Sequence, residues 1–134
     1  MGIVRTAAAW HLVCALAAMA ALPPSDASAA AETDFHVRTT RDLIALCSTP
    51  PGDPMHTAAV HFCEGFLVGA YQYHTLSAQT EGRAPLVCPP NPPPSRDESV
   101  VRFIQWSKEH ATALDAPPVA GMFEFLAQAF PCRS

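Results

Sequence analysis

Ala59-Val60-His61-Phe62-Cys63-Glu64-Gly65-Phe66-Leu67-Val68-Gly69-Ala70-Tyr71-Gln72-Tyr73-His74 is the stretch that decides the fold. Ala59, Phe62, Cys63, Phe66, Leu67, Ala70 and His74 recur with the 3.6-residue period of a helix. The pattern predicts a long helix from about Met55 to Ser77. Gly65 and Gly69 lie four apart within it. Each is about 1 kcal/mol less favourable there than alanine, which predicts close approach of another backbone. The same spacing occurs in membrane helix dimers. His61, Glu64, Gln72 and His74 make a membrane span untenable here.

The flanking segments read as further helices. Upstream, Thr39 and Asp42 form the ends of a capping box, and Leu43, Ile44 and Leu46 supply an apolar side running to Cys47. Ser48 to Pro54 is a Pro/Gly breaker that joins this short helix to the long one. Downstream, Gln79 to Pro94 is irregular and includes Pro89-Pro90-Asn91-Pro92-Pro93-Pro94, a run suited to stiff polyproline conformation. Ser95 and Glu98 mark a second capping box. Val100, Val101, Phe103, Ile104 and Trp106 give the apolar surface of the helix that follows. Asp115-Ala116-Pro117-Pro118 opens a last helix, since proline suits a first turn, with Val119, Met122, Phe123, Leu126 and Phe130 as its buried stripe. No stretch alternates long enough for a sheet. The expected fold is all-α, a small bundle of four main helices.

Residues 1–29 read as a secretory signal peptide. Arg5 precedes an apolar run from Ala7 to Leu22, and small residues follow that suit cleavage after Ala29 or Ala31. Cys14 lacks a small residue before it, so a lipid anchor is set aside. The remainder, 30–134, is one domain of about one hundred residues. The formal charge is −4, and losing Arg5 and Asp26 leaves it unchanged. Lys108 is the single lysine. An acidic chain without a basic cluster is a poor partner for nucleic acid. Nothing after the signal peptide is apolar enough to hold a membrane.

Cys47, Cys63, Cys88 and Cys132 remain in the exported part. In a small secreted chain these read as two disulfides, and three pairings are open. The helical hairpin favours Cys47 with Cys63, which leaves Cys88 and Cys132 to tie the proline loop to the C-terminus. The alternative, a metal site, needs closer thiolate spacing. No cofactor or metal is expected. His36, His56, His61, His74 and His110 are scattered, and a cysteine held in a disulfide is no nucleophile. Glu64, Glu98 and Glu109 read as solvated helix charges. The chain is therefore expected to have no enzymatic activity. Tyr71, Tyr73, His74 and Asn91 are the candidates for contact with a partner, since tyrosine offers apolar area with a polar tip. The plainer alternative is that Tyr73 and His74 continue the buried stripe.

Several of these features together resemble the Rap/Tai family of periplasmic immunity proteins. They are Asp42-Leu43 with Cys47, Phe62-Cys63-Glu64-Gly65-Phe66-Leu67-Val68-Gly69, Val87-Cys88-Pro89, Val100-Val101-Arg102-Phe103-Ile104, and Phe125-Leu126-Ala127-Gln128-Ala129-Phe130-Pro131-Cys132. The resemblance implies a helical domain with two disulfides, exported to the periplasm. It implies that the partner is a toxic effector of a type VI secretion system, such as a peptidoglycan amidase, blocked by steric occlusion. For some members it implies a homodimer. A second reading of the residues, from another class, is a general periplasmic helper or acid-stress chaperone with a disulfide-tied core. A structural role without a toxin is a third.

Overall fold

Thr39 starts the first helix in the way its sequence predicts. Its hydroxyl accepts the Asp42 amide at 3.2 Å, and the Asp42 carboxylate accepts the Thr39 amide at 3.0 Å. Two of the amides that a helix start leaves unpaired are thereby satisfied. The computed structural model describes residues 32–132. The signal peptide and its cleavage positions lie outside the described residues. Within them the order is α1 (Thr40–Cys47), α2 (His56–Thr80), α3 (Arg96–Glu109) and α4 (Pro118–Ala129), with no strand. Two short 3-10 segments, Glu32–His36 and Ala111–Asp115, lead into α1 and α4. The sequence signals gave no warning of either.

Asp42 also accepts the Arg38 amide at 2.9 Å. Desolvation pushes its carboxyl upward. The amide bonds from Thr39 and Arg38, the Thr39 hydroxyl and the Arg38 charge more than offset this and hold it below the ordinary 3.8. A depressed carboxylate stabilises the fold above its ordinary value, and that contribution disappears as pH falls through the folded value. Asp42→Asn keeps an acceptor and loses the charge. The melting temperature of the variant should lie below that of the native chain at pH 7, and the gap should close below about pH 4. A gap that is unchanged at pH 3 would show that the charge has no part in the cap.

Leu43, Leu46, Cys63 and Phe103 have no accessible surface, and Met122 has almost none. Leu43, Cys63, Phe103 and Met122 belong to one core cluster, in which α1 packs against both α2 and α4. Phe103 and Trp106 stack with 5.9 Å between ring centroids, and Phe125 packs against both, at 5.3 Å and 6.0 Å. The Trp106 indole would lose a hydrogen bond on burial, but it donates to Gln128 Oε1 at 3.0 Å. At the α1–α4 crossing, Thr40 is fully buried. Its hydroxyl donates to the carbonyls of Ala116 and Pro117, at 3.1 and 3.2 Å. Gly121 faces this side chain, and a Cβ there would overlap it.

Some expectations need correction. Val119 does not belong to the buried stripe of α4 and is 47% exposed; Gly121 and Phe125 occupy the inner face instead. Phe62 is partly exposed, and Val101 points outward. The second capping box is half formed. The Ser95 hydroxyl accepts the Glu98 amide, while the Glu98 carboxylate holds Arg102 one turn on at 2.6 Å. The long helix also runs further than predicted, ending at Thr80.

Candidate partner-binding surfaces

Both disulfides have the pairing that the hairpin favours. Cys47–Cys63 joins α1 to α2 with 5.2 Å between Cα atoms, and Cys88–Cys132 joins the proline loop to the C-terminal segment with 4.9 Å. Each lies within the usual range for a bridge. The first is in the core, and the second is at the surface. All four cysteines of the described residues are thus spent in bridges. Among the described residues, no group of His, Cys, Asp and Glu is placed to hold a metal ion.

The proline loop is held at both ends. At one end Cys88 is bridged, its amide donates to the Phe130 carbonyl at 2.9 Å, and Val87 is buried. At the other end the loop runs into the Ser95 cap of α3. Asn91 stands exposed in the middle of it. Between the loop, α2 and α4 lies a cleft of about 220 Å³ with mainly apolar walls. Leu67, Tyr71, Pro93, Phe125 and Leu126 line it, and Glu64 and Arg96 contribute its charges. Glu64 is not the solvated helix charge the sequence suggested: its side chain is only 15% exposed, and its nearest basic neighbour is His61 Nδ1 at 3.7 Å.

Tyr71, Tyr73 and His74 separate in space. Tyr71 faces the cleft. Tyr73 is 75% exposed and lines a broad depression with Val119 and Phe123, bounded by Glu81 and Arg83. His74 faces inward over Phe123, with 4.9 Å between ring centroids. Its Nε2 accepts the Leu86 amide at 3.1 Å, so the ring proton belongs on Nδ1. This bond fixes the chain just after α2, a positioning task that composition did not reveal. Gly65 and Gly69 are exposed, and a Cβ at either would meet nothing within 4 Å. No backbone of the described residues makes the close approach that the two glycines led us to expect.

Fold and sulfur pairing define the class: a small helical domain tied by two disulfides, of the kind found in exported proteins. A family model of Rap1a immunity proteins matches residues 39–132, from the cap of α1 to the last bridged cysteine. The chain belongs to that family, which points to immunity against a secretion effector and agrees with export. Comparison with curated proteins and with solved structures gave no match for either.

Proposed function

We propose that this chain is a periplasmic immunity-type protein that binds and neutralises a type VI secretion effector, such as a peptidoglycan amidase, by steric occlusion. The family match across the whole helical domain carries this reading. The proline loop supplies the means. Anchored at both ends, it loses little freedom on binding, and preorganisation of this kind favours affinity. Asn91 offers an amide donor and acceptor at its exposed centre. The adjoining cleft has room for an apolar side chain of the effector, with Tyr71 in its wall. The inhibitor blocks access to the effector's active groove and performs no chemistry of its own.

The test is protection of cells. Periplasm-directed wall effectors are produced one at a time in a sensitive host, with and without this chain. Protection against one effector is expected, and it should be lost when residues 1–29 are deleted and the chain stays in the cytoplasm. Asn91→Arg should weaken the complex at least tenfold (about 1.4 kcal/mol) without changing the melting temperature. The reading fails if the chain protects against no effector and instead exposes apolar surface only on acidification, holding many clients.

A further inference from the structure

Three carboxylates on the surface each hold an arginine: Glu81 and Glu98 at 2.6 Å, and Asp115 at 2.7 Å. Glu64 holds none. Its side chain is 15% exposed, and its one ion-pair contact among the described residues is His61 Nδ1 at 3.7 Å. That histidine is itself 72% exposed and carries charge only when protonated. A mostly buried carboxylate is thus left without a permanent cation, which is costly where the dielectric is low. Glu64 lines the cleft together with Leu67, Tyr71, Pro93 and Phe125, and the walls are mainly apolar. In such surroundings a carboxylate attracts a cation more strongly than at the open surface.

We propose that this cleft receives an arginine side chain of the effector, with its stem along the apolar wall and its guanidinium on the Glu64 carboxylate. The immunity reading supplies the donor; the preference of the cleft for a cation stands on the geometry alone. A volume of about 220 Å³ is below that of drug-sized pockets and suits a single long side chain. A wholly apolar side chain would fill the space and leave Glu64 without a partner. An arginine does both tasks, because it buries its methylene stem while its head keeps the charge. Its planar fork can engage both carboxylate oxygens, and it is less strongly hydrated than the ammonium of lysine, which favours it in a desolvated site. The ring of Tyr71 adds attraction for a cation. Arg96 opposes it, as a like charge that also lines the cleft. Arg96 is exposed and pairs with no carboxylate of the described residues, so solvent and salt screen it. The more buried Glu64 therefore sets the sign of the site.

The first test needs no effector. The exported, oxidised chain is titrated at about pH 8, where histidine is uncharged. The probes are n-butylguanidinium, its uncharged isostere n-butylurea, and pentanoate, at constant ionic strength. NMR follows the signals of Leu67, Tyr71 and Phe125. The guanidinium should bind with a Kd of about 1–10 mM, as befits so small a ligand, and the urea and the acid about tenfold more weakly or worse. Glu64→Gln should abolish the difference between guanidinium and urea. It should not lower the melting temperature, because an amide there needs no counter-ion. Arg96→Ala should act in the opposite direction and tighten guanidinium binding. Equal binding of guanidinium and urea to the native chain would overturn the proposal, as would a preference for guanidinium that survives in Glu64→Gln. With an effector in hand, Glu64→Gln should weaken the complex about tenfold or more. A complex that this variant leaves unchanged would overturn the proposal while the immunity reading stands. A chain that prefers the guanidinium but protects against no effector would overturn the immunity reading and the effector as donor.

Discussion

Replacing Cys47 and Cys63 together by alanine is expected to destabilise the domain by about 3 kcal/mol through the unfolded chain alone, since the bridge closes a loop with a sequence separation of 16. Loss of packing adds to this, because Cys63 is fully buried and Cys47 nearly so. For a domain of about one hundred residues, this corresponds to a fall in melting temperature of roughly 12–24 °C. The other bridge acts differently. Its separation of 44 predicts about 4 kcal/mol from the unfolded chain, but both of its cysteines are exposed and little packing is lost with them. Small domains have about 5–15 kcal/mol in total, so losing both bridges should abolish folding. Burial also sets an order of reduction. A mild reductant should open Cys88–Cys132 in the native protein and leave Cys47–Cys63 intact until the chain unfolds. Timed alkylation with peptide mapping reads this directly. Simultaneous opening of the two would contradict the placement of Cys47–Cys63 in the core.

Gly121→Ala is the second large effect. Alanine normally improves a helix by about 1 kcal/mol over glycine. Here the added methyl overlaps Thr40. Thr40 cannot yield easily, because its hydroxyl and its amide are both bonded to the chain entering α4: the amide donates to Ala116 at 2.8 Å. Overpacking a well-filled site costs about 1–3 kcal/mol, and a buried donor left unpaired costs about the same again. The net expectation is a loss of about 2–3 kcal/mol, opposite in sign to the gain expected of alanine at Gly69, where an added Cβ would meet nothing within 4 Å. Thr40→Gly should recover much of the loss in the double variant even though it destabilises the domain alone. Denaturant titration of all four proteins measures the coupling. Additive effects would mean that the two residues do not meet.

The contrast between these glycines shows what the sequence could convey. Caps at Thr39 and Ser95 and the proline at the start of α4 are local, so the helix starts could be placed from the sequence. The disulfides followed from compartment and hairpin geometry. The burial of α2 was harder to read. Its core face is marked by Ala59, Cys63 and Leu67, but Phe62, Tyr73 and Leu76 form a second apolar stripe on the outside. Two stripes on one helix blur the period, so Phe62 reads as part of the core face although it lies at its edge, against Phe35 and Phe66. Gly65 and Gly69 signalled a close approach, whereas the glycine that is crowded in the fold is Gly121, an inconspicuous residue of α4. Steric need depends on what crosses the helix, and that is tertiary information. The role of His74 was hidden for the same reason: its acceptor bond goes to Leu86, in a loop with no periodicity.

The most direct measurement of the central claim is titration of a purified wall effector with the purified, oxidised chain, following hydrolysis of peptidoglycan and heat of binding together. The account predicts that hydrolysis falls linearly to its floor at one chain per effector, with saturable binding at neutral pH. Effector activity that persists when this chain is in excess, for the very effector it protects cells against, would contradict it.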